Sequence, residues 1–215
     1  MKNRLHDKKA GIFILVSLII ISVAEVIYRA VVANEIVFTT SNFGEQLAVI
    51  IFALMILIFT AKGKDRVCYI IYGAWIAYFV MDQAFELPGM VGDLVINFSQ
   101  TRMAISISLR LVSMLCIIAL SALLVEYMND GSIYNRAFNI LSVITVLLHV
   151  VTIGICINGL IHLSKPTSNI DVNLHSSYSL LIIFNNLYRI AMVFLFTFFA
   201  YDSAKKQLNK VDFSK

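Results

Sequence analysis

Charged and amide side chains interrupt several long apolar segments of this chain, and their chemistry suits the binding of a polar group. Glu25 and Arg29 are four residues apart in the first apolar segment. A helix would place them on one face, where they can form an ion pair. Asn185 and Arg189 have the same spacing in the last apolar segment, and Arg110 lies well inside the fourth. The spacing therefore predicts polar groups that face protein or water rather than lipid.

The charges of these residues do not balance, which leaves three interpretations open. Glu25 faces three arginines, and the spare positive charge would suit an anion or a carboxylate from a partner. An acidic turn at the outer end of the third segment, Asp82 and Glu86, would balance that charge if this segment packs nearby. Alternatively, the charges neutralise one another and fix helix packing without any ligand.

Motifs that carry catalysis are missing from the sequence. It has no glycine-rich phosphate loop, no HExxH zinc motif and no Gly-x-Ser-x-Gly elbow. His149 has no second histidine at a matching depth, so we expect a core histidine with satisfied hydrogen bonds rather than a haem ligand. The cysteines, in apolar stretches and with no metal-binding spacing, predict neither disulfide nor metal site. We predict a non-enzymatic protein without a cofactor, and an intramembrane enzyme is the least favoured alternative.

The composition indicates that lipid is the solvent for most of the chain. Its 215 residues are 60% hydrophobic and 14% charged, whereas soluble domains carry about 25% charged residues. A water-soluble fold of this length could not bury so much apolar surface. The formal net charge of +4 is concentrated at the ends of apolar segments, so we expect no nucleic-acid partner.

The apolar segments predict an all-α, polytopic transmembrane protein with about six spans. We expect the third span to end near Pro88 and Gly89, because proline and glycine break helices. Residues 89–100 are too short to cross, and an interfacial helix or a re-entrant segment would fit them. The predicted domains are a basic cytoplasmic segment (1–10), the transmembrane domain (11–201) and a basic cytoplasmic tail (202–215). The predicted spans are 11–33, 44–61, 67–85, 101–126, 136–162 and 178–201.

The distribution of lysine and arginine predicts the orientation of these spans. Basic residues cluster before the first span, in the turn at 62–66 and in the tail at 205–215. Since cytoplasmic segments carry the excess of lysine and arginine, we expect both termini in the cytoplasm. An integral protein of the plasma membrane follows, and we expect it to be bacterial.

This topology places the polar residues at a common depth. At 1.5 Å per residue, Glu25 lies about 12 Å below the outer end of its span, Arg110 about 13 Å and Asn185 about 10 Å. The sequence therefore predicts a polar cluster in the outer half of the bilayer. Its predicted members are Glu25, Arg29, Arg110, Asn185, Asn186 and Arg189.

Our first functional hypothesis is a membrane sensor or anchor that recognises a ligand or partner at this cluster and works with other proteins. An immunity or defence assembly would fit it. The alternative is a transporter subunit or channel for an anionic or zwitterionic solute. Besides membrane lipid, we expect a second copy of the chain, or a cytosolic or membrane protein, as partner. The expected contact surfaces are the turn with Lys62, Lys64 and Arg66, and the tail from Lys205 to Lys215.

Overall fold

Six α-helices make up nearly all of the described chain. The structure, a computed structural model, describes residues 2–31, 40–96, 101–130, 135–163 and 169–212. Apart from the turn at 62–64, these residues are helical. The helices are α1 (Lys2–Val31), α2 (Thr40–Ala61), α3 (Asp65–Ile96), α4 (Thr101–Asp130), α5 (Asn135–Leu163) and α6 (Asn169–Asp212).

Five of these helices are long and apolar enough to cross a membrane. Lipid offers no hydrogen bonds to the backbone, and a helix satisfies its own N–H and C=O groups, so apolar segments of this length fold as helices. The all-α class and a membrane-embedded protein are therefore confirmed. The apolar part of α2, Gln46–Ala61, is shorter than the other five, so the sixth span stays a prediction, as does the orientation. The five segments are Lys9–Ala30, Arg66–Ile96, Ile107–Leu124, Arg136–Ile161 and Ser179–Tyr201.

The expected end of the third span at Pro88 is wrong. Helix α3 continues through Pro88 to Ile96. Proline removes one backbone hydrogen bond, but helices in membranes tolerate this loss because neighbouring groups satisfy the freed carbonyl. Residues 89–96 are thus the last two turns of a long helix rather than a separate interfacial or re-entrant segment. Residues 97–100 lie outside the described residues.

The polar segments around α6 are more helical than expected. We predicted a loop over 164–177, but α6 already begins at Asn169, and residues 164–168 lie outside the described part. The basic tail continues the same helix to Asp212. The structure does not describe the side chains from 202 onward, so the tail's expected contact surface stays a prediction.

The basic turn at 62–66 has the expected position and a well-defined conformation. Gly63 has a φ of 68°, a left-handed value that only glycine adopts without a steric cost. The N–H of Lys64 bonds to the carbonyl of Phe59 at 3.0 Å, and that of Gly63 to Thr60 at 3.1 Å. This is the Schellman pattern that ends a helix. The Lys64 carbonyl then accepts the N–H of Cys68, so α3 begins directly after the turn.

The chain forms two compact units, each with its own buried side chains. Unit 1 comprises Met1–Gly11, Gly73–Leu148 and Met192–Lys215, and unit 2 comprises Ile12–Tyr72 and His149–Ala191. In unit 1, the rings of Phe79 and Phe196 meet edge to face at 6.0 Å. The core of unit 1 includes Trp75, Phe79, Met114, Ile117, Leu120, Phe138 and Phe196, and that of unit 2 includes Leu15, Leu18, Val49, Ala53, Ile56 and Tyr188.

Candidate polar recognition site

A buried carboxylate on α1 is held by side chains from two helices. Glu25 is only 1% exposed. Its Oε1 accepts hydrogen bonds from Nε and Nη2 of Arg29 at 3.0 and 2.7 Å. Its Oε2 accepts one from Nε2 of Gln46, on α2, at 2.8 Å. Both oxygens of Glu25 are thus satisfied, as a charge at this degree of burial requires.

The local sequence of α1 explains why Glu25 points inward. Leu15, Leu18, Ser22 and Glu25 are all buried, while Phe13, just before them, and Ile20, between them, are exposed. Steps of three and four residues put the four on one helical stripe. An apolar stripe therefore carries two polar groups into the interior of unit 2.

A second polar contact joins α5 to α6. Nδ1 of His149 lies 2.7 Å from Oδ1 of Asn186, and Nδ2 of Asn186 donates to the carbonyl of Ile182 at 2.7 Å. A carbonyl can only accept, so the amide nitrogen must face Ile182, and the amide oxygen must accept a hydrogen bond from the Nδ1–H of His149. The neutral ring therefore carries its proton on Nδ1, and Nε2 presents a lone pair.

The last predicted pair, Asn185 and Arg189, also forms on α6. Nε of Arg189 donates to Oδ1 of Asn185 at 2.9 Å. Arg189 is 3% exposed, so the guanidinium is a buried group. It lies one helical turn from Asn186, which the i, i+3 spacing places on a neighbouring part of the same face.

An aromatic contact joins α1 to α6 within unit 2. The ring of Tyr28 lies 5.8 Å from that of Phe184. Glu25 and Asn186 each lie within one helical turn of this contact. We call the polar residues of unit 2 that take part in these contacts, together with the buried Ser22, the unit 2 polar cluster. Its members are Ser22, Glu25, Arg29, Gln46, His149, Asn185, Asn186 and Arg189.

Three atoms of the unit 2 polar cluster are buried without a hydrogen bond. Among the described residues, Oγ of Ser22, Oε1 of Gln46 and Nε2 of His149 find no partner. Leaving a buried polar atom unsatisfied costs about 1–3 kcal/mol. His149 is therefore buried as predicted, but the expectation that its hydrogen bonds are satisfied is wrong for Nε2.

Arg110 has a different environment from the one that the depth argument predicts. In unit 1, its Nη2 lies 3.2 Å from Oε2 of Glu86, and the two side chains are 41% and 38% exposed. The nearby Nε2 of Gln83 donates to Asp82 at 3.2 Å. The acidic turn of α3 thus supplies the carboxylate for Arg110, as one of our alternatives proposed. Whether any of these residues forms a binding site stays a prediction.

Sequence reasoning did not include Ser22, Gln46 and His149 among the members of the polar cluster. Each is a polar residue inside an apolar segment, which is a usable signal. The pairing of Gln46 with Glu25, however, depends on which faces of two helices meet. Spacing within one helix predicts i, i+4 pairs but carries no information on contacts between helices.

Comparison with family models, with curated proteins and with solved structures finds no match for this chain. The fold and the cluster alone define its class. It is an all-helical, membrane-embedded protein with several polar side chains buried among its apolar helices.

Proposed function

We propose that this chain is a non-enzymatic, multi-pass membrane subunit that recognises a ligand or a partner segment at the unit 2 polar cluster and works with partner proteins. In this proposal the chain crosses the membrane six times with both termini in the cytoplasm. Recognition in the outer half of the bilayer is communicated to proteins that contact the cytoplasmic tail.

The observation that carries this proposal is the pair of buried acceptor atoms, Oε1 of Gln46 and Nε2 of His149, that lack a partner among the described residues. An amide oxygen and an imidazole lone pair both accept hydrogen bonds. The recognised group therefore carries N–H or O–H donors, such as a hydroxyl, an amide or an ammonium group.

A purely structural role explains the cluster less well. Polar networks that only hold helices together are stable when every member is satisfied, because an unsatisfied atom costs more than an apolar replacement. The carboxylate of Glu25 meets this condition. Gln46 and His149 each use one polar atom and leave the other buried without a bond, which supports a group that arrives from outside the chain.

The transport alternative has less support. In that alternative one anionic or zwitterionic solute is surrounded by Arg110, Asn185, Asn186 and Arg189. Arg110 is instead engaged with Glu86 in unit 1, and Arg29 is engaged with Glu25. Much of the spare positive charge on which an anion would depend is therefore already balanced.

Native mass spectrometry of the full chain, gently extracted from its own membranes, tests the proposal. The wild-type protein should carry a bound molecule or peptide at a defined added mass. Gln46→Met and His149→Phe should each lose most of it, since both remove an acceptor and keep the side-chain volume similar.

Ser142→Ala is the matched control, because Ser142 is buried but its hydroxyl donates to the Phe138 carbonyl in unit 1. It should retain the added mass. A wild-type protein without any bound species, or variants that keep it unchanged, would contradict the proposal.

A further inference from the structure

The turn between α2 and α3 is the most strongly charged exposed surface among the described side chains of unit 2. Lys62, Lys64 and Arg66 are all exposed. They occur within five residues that contain one acidic residue, Asp65. The segment therefore presents a net charge of two positive units on one short turn.

Side-chain contacts beneath the turn help to fix its conformation. Sγ of Cys68 donates to the carbonyl of Ile56 at 3.8 Å, and Oγ1 of Thr60 lies 3.5 Å from the same sulfur. These contacts connect the end of α2 to the start of α3, and the Schellman hydrogen bonds close the turn between them. The three cations are thus carried by an ordered backbone rather than a free tail.

The turn lies where the apolar helices end. The membrane-crossing segment of α3 begins at Arg66. Ile58 and Ile70, about one helical turn from the cations on either side, are 50% and 66% exposed. In a membrane, exposed isoleucines at the ends of apolar helices face the lipid tails. The cations one turn away then lie at the level of the lipid headgroups, toward which long basic side chains extend.

We propose that this turn binds the phosphate of an anionic phospholipid headgroup. Three basic side chains at the membrane surface attract anionic lipid, with a contribution of about fivefold in affinity for each cation. A lipid is the occupant favoured by position, because it is already present at this level on both sides of the turn. The inference is independent of the unit 2 polar cluster.

The test uses the full chain in nanodiscs with a three-to-one mixture of phosphatidylethanolamine and phosphatidylglycerol. Native mass spectrometry then measures the enrichment of phosphatidylglycerol among the retained lipids. The wild-type protein should enrich it, and the triple variant Lys62→Gln/Lys64→Gln/Arg66→Gln should lose most of that enrichment. Arg136→Gln, at the exposed basic residue that begins the apolar segment of α5, should change it little.

Two variants at Gly63 distinguish lipid binding by an ordered turn from diffuse electrostatic attraction. Gly63→Ala keeps every charge but strains the left-handed φ, whereas Gly63→Asn tolerates it. The alanine variant should lose part of the enrichment, and the asparagine variant should retain it. Circular dichroism verifies that each variant is folded.

Three results would overturn the proposal. The first is unchanged enrichment in the triple variant, and the second is equal enrichment in the two Gly63 variants. The third is full displacement of the lipid by inorganic phosphate at millimolar concentration, because the turn would then bind a free anion rather than a headgroup.

Discussion

Nδ1 of His149 lies 2.7 Å from Oδ1 of Asn186, and this hydrogen bond joins α5 to α6. It also determines the chemistry of the other ring nitrogen. Because Asn186 must accept a hydrogen bond from Nδ1–H, the neutral ring has an acceptor at Nε2, which is buried and has no partner in the described part of the chain. The contact thus joins two helices and leaves one acceptor atom buried without a partner, and this is the atom at which we propose that an incoming donor binds.

Ser22→Ala should stabilise the purified protein. The hydroxyl of Ser22 is fully buried and has no hydrogen bond among the described residues, so its removal should raise the free energy of unfolding by about 1 kcal/mol. Thermal unfolding in detergent, followed by circular dichroism, measures the effect. Ser17→Ala is the control, because the Ser17 hydroxyl is exposed and bonded to the Phe13 carbonyl. A lower midpoint for Ser22→Ala would show that the hydroxyl has a partner.

Breaking the Glu25 ion pair should destabilise the protein strongly. Glu25→Leu removes three hydrogen bonds and leaves the partly buried Arg29 without its carboxylate, at an expected cost of about 3 kcal/mol. The double variant Glu25→Leu/Arg29→Leu should recover much of this loss, since no uncompensated charge then remains. A double-mutant cycle on unfolding free energies checks both values. Strictly additive losses would contradict a direct pair.

The ion pair of unit 1 should tolerate exchange of its charges. Arg110→Glu alone places two carboxylates together at Glu86 and should lower the thermal midpoint. The swap Glu86→Arg/Arg110→Glu should restore most of the loss, because it re-forms the pair that is 3.2 Å apart in the wild-type protein. The net gain from the pair itself should stay below about 1 kcal/mol, as both side chains are more than one-third exposed. If the swap fails to recover stability, Glu86 and Arg110 do not form a stabilising ion pair.

The predicted orientation can be tested by cysteine labelling. In a background without the three native cysteines, Lys62→Cys should react with a membrane-impermeant maleimide only after the cells are permeabilised. Ser99→Cys, beyond the other end of α3, should react in intact cells. The reverse pattern would show that the orientation is opposite to the predicted one. Equal labelling of both positions in intact cells would show that α3 does not cross the membrane.

Much of the fold follows from the sequence because lipid imposes a simple rule on the backbone. Long apolar segments have to be helical, and all six predicted segments are helices. The errors occur where a local signal competes with that rule. Pro88 is typical of a helix end in water, but α3 continues for eight residues beyond it.

The candidate site is less predictable than the fold. Spacing of four residues indicated that Glu25 can pair with Arg29, and Asn185 with Arg189, and both pairs form. The contacts of Gln46 and His149 join different helices. They depend on helix rotation and on which helices are neighbours, neither of which is encoded in the spacing within one segment.

The most direct test of the central claim is ¹⁵N NMR of His149 in histidine-labelled protein, compared between native membranes and the purified, extensively washed protein. We predict that Nδ1 carries the proton in both preparations. The Nε2 resonance should be that of an unprotonated acceptor, and it should shift when the recognised group is removed by washing. A proton on Nε2, or an Nε2 resonance that is identical in the two preparations, would contradict recognition of a donor group at this atom.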